Sequence, residues 1–148
     1  MIRSIVVGTD GSDTARKAVQ EAADLAVQVG AAMDIVSAFT PVSNQRLKDE
    51  ARQAPEDVQW MVTAREDVDA KLREAKELAE GAGVKEINVH PREGDPADAI
   101  LDVAEEHGSD LIVVGNKGMS GAKRFLLGSV PNKVSHHAPC SVLIVRTT

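Results

Sequence analysis

Aromatic residues and cysteine are scarce in this sequence. Its 148 residues include no Tyr, one Trp (Trp60), two Phe (Phe39 and Phe125) and one Cys (Cys140). So few rings argue against a surface that stacks single-stranded bases. A lone cysteine excludes an internal disulfide, and Cys140 lacks the CxxC partner of a zinc or redox motif. No run approaches the ~18 apolar residues of a membrane span. The opening stretch Met1–Gly8 is too short an apolar run for a signal peptide and precedes no small-residue cleavage site, so a mature cytoplasmic chain is expected. Positive charge is also in deficit, with 17 Lys and Arg against 23 Asp and Glu, a net charge of −6. That balance disfavours nucleic acid and anionic membranes as partners. A phosphate ligand would need a local basic or dipolar site.

What is present is an ordinary globular composition, 43% hydrophobic and 27% charged, at the length of one domain spanning 1–148. Apolar runs alternate with helical patterns. Ile2–Gly8 reads as a buried strand. Ser12 or Asp13 then offers a cap, and Ala15, Ala18, Val19, Ala22, Leu25, Ala26 and Val29 form one helix face that stops at Gly30. A second strand is expected over about Met33–Phe39, followed by a polar loop over Thr40–Pro55. Val58, Met61, Val62, Val68, Leu72, Ala75 and Ala79 mark a long helix, with Asp67–Lys71 and Asp69–Arg73 as i,i+4 pairs. Gly81 and Gly83 are expected to end it.

Glu86–His90 is a third strand in this reading, with Ile87 and Val89 on one side. Asp95-Pro96-Ala97-Asp98 has the form of a helix start, and Gly108 stops that helix. Leu111–Val114 is a fully apolar strand ending at Gly115, Ser129 opens a short helix, and Ser141–Arg146 is the fifth strand. Five strands alternating with helices imply an α/β domain with a mostly parallel sheet and helices on both faces.

The chemistry concentrates in Gly115-Asn116-Lys117-Gly118-Met119-Ser120-Gly121-Ala122-Lys123-Arg124-Phe125-Leu126-Leu127-Gly128-Ser129. Four glycines in one loop let successive N–H groups turn inward as an anion nest. The loop feeds a helix N-terminus at Gly128-Ser129-Val130, where unpaired amides and the helix dipole favour phosphate. Lys117, Lys123 and Arg124 can add charge or simply face solvent. Neither the GxxxxGK[ST] nor the GxGxxG spacing is present, and a flexible loop with turn-forming glycines remains the alternative. Strand one also ends in a polar, glycine-bearing stretch, Gly8-Thr9-Asp10-Gly11-Ser12. In a flavodoxin-like winding, strands one and four flank the third, and both ends lie on the ligand-binding edge of the sheet. Asp10 is then placed to bond a ribose hydroxyl or hold a metal ion, or it caps the first helix alongside Ser12.

The spacing Gly115-x2-Gly118-x9-Gly128-Ser129, the opening Val6-Val7-Gly8-Thr9-Asp10-Gly11-Ser12 and the closing Ala138-Pro139-Cys140-Ser141-Val142-Leu143-Ile144-Val145 resemble the universal stress protein family over essentially the whole chain. The resemblance implies a Rossmann-like, HUP-type sheet in the order 3-2-1-4-5. It also implies a stress-response regulator of the ATP-binding branch. By it, Gly8, Thr9 and Asp10 belong to the nucleotide site, with Asp10 on the ribose. The backbone at Ser37 and Ala38, after strand two, meets adenine. Gly115, Gly118 and Gly128 wrap the phosphates, Ser129 donates its hydroxyl and Val130 adds a main-chain contact. Gly8 stands where a proline is also common in the family. The implied ligand is ATP, with Mg2+ as its companion; cyclic AMP is the alternative, since the same Asp and glycines serve both. The family also implies a homodimer through Ser141–Arg146, an edge strand with no charge within Val142–Val145.

Other residues point less far. His136 and His137 are adjacent, so on a helix they diverge by about 100° and with Cys140 make a poor zinc set. No metal site built from protein side chains alone is expected. Cys140 is read as an inert residue at the start of a buried strand. Trp60 is read as packing beside the polar loop. No GxSxG elbow, positioned general base or arginine finger is identified, so no catalytic residue is assigned. A slow ATPase and a ligand-free interaction module remain the rival readings.

Overall fold

The structure is a computed structural model that describes residues 1–39, 56–116 and 127–147, with the backbone alone for 56–65. The elements are β1 (Ser4–Gly8), α1 (Asp13–Val29), β2 (Ala32–Phe39), α2 (Glu56–Ala82), β3 (Ile87–Glu93), α3 (Pro96–Glu106), β4 (Leu111–Gly115), α4 (Ser129–His137) and β5 (Ser141–Val145). The five strands form one sheet in the order β3-β2-β1-β4-β5, and every pairing is parallel. This is the order that the family resemblance implies. It differs from the flavodoxin-like winding, because β1 and β4 are direct neighbours and β3 lies at the edge. The chain steps outward from β1 to β2 to β3, then crosses back to β4. The winding therefore reverses between β1 and β4, where the strand ends open a crevice.

Two apolar layers sandwich the sheet. Ile5, Val7, Met33, Ile35 and Val113 face α1 and α2, meeting Ala22, Ala26, Val68 and Leu72. Val6, Val36, Ile112 and Val114 face α3 and α4, meeting Ile100, Val103 and Val134. The alternation within each strand follows the two-residue period of the pleat. Among the described helices none is long and apolar enough to cross a membrane.

Local signals set most boundaries. Ser12 caps α1 by accepting the Ala15 N–H at 3.2 Å, and Gly30 closes it at φ 71°. Asp95 caps α3 by accepting the Asp98 N–H at 3.1 Å, with Pro96 in the first turn. The Asp67–Lys71 pair forms at 2.9 Å.

Some boundaries move. β1 begins at Ser4, and α2 runs through Gly81 to Ala82, with Gly83 at φ 107° as the true stop. Val29 is exposed rather than part of the α1 core face. β3 continues through Pro91 to Glu93, which an edge position tolerates because no further strand needs its amide. On that strand Ile87 packs against the core while Val89 is exposed. β5 is not a buried strand: it lies at the other edge with Leu143 and Ile144 exposed, and Cys140 precedes it, half-buried. The Thr40–Pro55 stretch and the Trp60 side chain lie outside the described residues.

Candidate functional site

At the carboxyl ends of β1 and β4 lies a cleft of about 370 Å³. Gly8 and Asp10 line it from the end of β1, Thr14 and Ala15 from the start of α1, and Val114 and Gly115 from β4. Val130 and Pro131 contribute the first turn of α4, Ile100 comes from α3, and Thr147 follows β5.

Each wall has a local cause. Beyond Gly8 the chain turns sharply into α1. The Thr9 N–H donates to the Val36 carbonyl at 2.8 Å, and the Thr9 hydroxyl accepts the Gly11 N–H at 3.1 Å. Oδ1 of Asp10 accepts the Ser12 N–H at 2.9 Å, an Asx turn that orients the carboxylate. Gly11 sits at φ 79°, a conformation that favours glycine, and a Cβ there would lie 2.8 Å from Cγ of Lys71, whose side chain would have to move. Asp10 therefore does make the local turn expected of a cap residue, and it lines the cleft as well.

The opposite wall depends on Asn116. Its N–H donates to the Val145 carbonyl at 2.9 Å, and its own carbonyl accepts the Gly128 N–H at 3.0 Å. Its Oδ1 accepts both the Thr147 N–H at 2.9 Å and the Thr147 hydroxyl at 3.0 Å. Lys17 on α1 donates to the Thr147 carbonyl at 3.3 Å. A Cβ on Gly115 would come within 3.1 Å of the Thr147 methyl, so the strand end approaches this residue closely.

Gly128 is the N-cap residue of α4 and has no side chain to cap it. Pro131 further reduces the amides its own first turn must satisfy. The start of α4 is held against that of α3 by Lys133, 2.8 Å from Asp98 and 3.4 Å from Asp95. The hydrogen bond to Asp98 raises the Lys133 pKa above that of a free lysine. No acid sits in the first turn of α4, so its dipole faces the cleft uncompensated from within the helix.

Of the residues singled out in the sequence, Gly8, Asp10, Gly115 and Val130 meet in this cleft. Thr9 is buried and turned into its own loop. Ser37 and Ala38 lie inside β2 rather than after it, past Val36, the last residue that β1 pairs. Gly128 and Ser129 form the entry to α4. Gly118, with Lys117, Lys123 and Arg124, lies outside the described residues.

Asn116 and Thr147 carry much of the wall and were not anticipated. Asn116 stands beside a recognised glycine, but its partner is 31 positions away, a relation no local pattern encodes. A third group, Asp34, His90 and His107, also went unnoticed, because its members are scattered over two strands and a helix end.

The family model described as "Universal stress protein family" matches residues 1–146. A universal stress protein of Mycobacterium tuberculosis strain H37Rv is 42% identical over 146 residues, covering 99% of this chain and 97% of its own. A universal stress protein crystallised in complex with cAMP is 37% identical with a TM-score of 0.74, covering 99% of this chain and 98% of its own. The universal stress protein from Archaeoglobus fulgidus in complex with dAMP is 26% identical with a TM-score of 0.68, covering 99% of this chain and 100% of its own.

Proposed function

The chain belongs to the universal stress protein family, and from that premise we propose that it is an adenine-nucleotide-binding regulator whose ligand is ATP. The observation that carries this reading is the convergence of Gly8, Asp10, Gly115 and the first turn of α4 on one cleft. A ribose fits beside Asp10, whose Oδ1 is already engaged by Ser12 and whose Oδ2 is left to accept a ligand hydroxyl. Phosphates fit against the α4 N-terminus, where dipole and backbone favour an anion despite the net negative charge of the chain. The glycines from Gly115 to Gly128 allow a close backbone approach. Adenine is assigned to the Ser37–Ala38 backbone.

Mg2+ would accompany ATP through the phosphates, and Asp10 on the cleft wall is its candidate carboxylate only in place of the ribose contact. Among the described residues of the cleft none is placed as a general base, and the proposed role is binding and signalling rather than turnover. We assign the protein to the cytoplasm and to a homodimer joined along β5. Cyclic AMP is the second reading, favoured by the cAMP complex of a 37% identical relative.

The test is thermal melting of nucleotide-free protein titrated in parallel with ATP, with and without Mg2+, and with cyclic AMP. At 100 times its dissociation constant a ligand stabilises the fold by about 2.7 kcal/mol. A given shift reached at lower concentration with ATP than with cyclic AMP supports the first reading, and the reverse order supports the second. No shift with either nucleotide overturns both.

A further inference from the structure

Asp34 is a carboxylate in the wrong place for a purely structural residue. It lies in β2 opposite Val6, 3% exposed, on the apolar face that packs under α3. Burying a carboxylate is costly unless it is paired. Its partner is His90 of the edge strand β3, with Nε2 2.8 Å from Oδ1. A second imidazole, His107 at the end of α3, brings its ring centroid within 4.8 Å of the His90 ring at an interplanar angle of 57°. One ligating atom from each of the three residues lies within 4.8 Å of the others.

We propose that Asp34, His90 and His107 form a binding site for a zinc-like divalent cation that pins the end of α3 to β2 and the edge strand β3. Two imidazoles and one carboxylate are a common zinc donor set, with a fourth position for water. Bond lengths of about 2.0–2.1 Å at tetrahedral angles place donor atoms about 3.3 Å apart. The Asp34–His90 pair, at 2.8 Å, must then open slightly while His107 closes in from within 4.8 Å. The exposed His107, at a helix end, is the member free to move. Its exposure also opens the fourth position to solvent.

The surrounding charge suits a cation. Glu106, next in sequence to His107, adds a carboxylate beside the cluster. Its two oxygens bond Arg92 at 3.0 and 2.7 Å, which neutralises that guanidinium. The site is separate from the cleft: α3 runs back from the carboxyl ends of the strands, so His107, the residue that caps its end, lies toward their amino ends. This proposal stands whether or not the cleft binds a nucleotide.

The experiment is calorimetric titration of untagged, chelator-treated full-length protein with Zn2+, with Co2+ as an optical reporter. The wild type should bind one Zn2+ per chain, show the intense visible bands of tetrahedral Co2+, and melt at higher temperature with Zn2+. His107→Ala, a change at an exposed residue, should remain folded and lose at least about tenfold in affinity together with those bands. The double variant His136→Ala/His137→Ala should bind as the wild type does. Absence of saturable binding in the wild type overturns the proposal. So does binding that survives His107→Ala but disappears in the His136/His137 variant.

Discussion

The carboxamide oxygen of Asn116 holds Thr147 by two hydrogen bonds, one from the backbone N–H at 2.9 Å and one from the hydroxyl at 3.0 Å. This links the segment leaving β4 to the segment leaving β5, and it places the Thr147 methyl over Gly115. Because Thr147 is 2% exposed, its hydroxyl has no ready exchange with water. The pair therefore acts as a fixed rim of the cleft, joined to α1 through Lys17.

Asn116→Ala removes the acceptor and strands two donors of Thr147. A buried unsatisfied group costs about 1–3 kcal/mol, so urea unfolding should show a loss in that range. Ligand affinity should fall with it, as the rim loosens. A variant with unchanged stability would mean that water replaces the carboxamide without cost.

Asp10→Ala separates two roles of one carboxylate. The lost Asx turn should weaken the start of α1, and, on the proposed function, the lost acceptor should weaken ribose binding. For a charged acceptor the second effect is roughly 1.5–3 kcal/mol. Titration calorimetry should show that loss for a ribonucleotide and a much smaller one for its 2′,3′-dideoxy form. Equal losses for both ligands would assign Asp10 to a metal or to the turn alone.

Cys140 should be a slow nucleophile. Burial is the main cause that pushes its thiol pKa up, and the negative charge of Asp110 adds to it. The thiolate fraction at neutral pH is then below that of a free cysteine, and alkylation should lag behind a small-molecule thiol. The rate should rise with pH to a midpoint above about 8.5, the ordinary cysteine value. A midpoint below it would mark the residue as activated.

The legible parts of this protein are those governed by near neighbours in sequence. Ser12, Gly30, Asp95 and Pro96 mark helix ends through contacts a few positions away, and all four serve as read. The β-branched runs at β1 and β4 locate the central strands, and the glycine-bearing ends beyond them locate the cleft. The order of the strands is another matter. Periodicity does not say whether β3 or β4 is the second neighbour of β1, and the two windings differ only in which crossover reverses. The edge position expected of Ser141–Arg146 holds, while the reading of the strand after Cys140 as buried does not, since that edge leaves Leu143 and Ile144 in solvent. The Asn116–Thr147 and Asp34–His90 pairs span 31 and 56 positions and depend wholly on the sheet being assembled first.

That exposed edge carries the last prediction, a homodimer through β5. β4 pairs with one side of β5, and no other described strand pairs with the far side. Leu143 and Ile144 are 40% and 41% exposed, unusual for the apolar middle of a strand. An uncharged, apolar edge invites pairing, and a two-fold copy of the same strand is the simplest cover. Val142 and Val145 face inward onto the two cores, so changing them would disturb the fold itself. Leu143→Lys and Ile144→Lys are the cleaner changes. In a lone protomer each should cost within about 0.5 kcal/mol, as surface substitutions do. Placed on opposite faces of one edge, the two lysines would repel their copies across a two-fold interface. Light scattering at micromolar concentration should give a dimer mass for the wild type and a protomer mass for the double variant, with unchanged circular dichroism. A wild type of protomer mass would refute the edge pairing. A double variant that remains dimeric would move the interface to another surface.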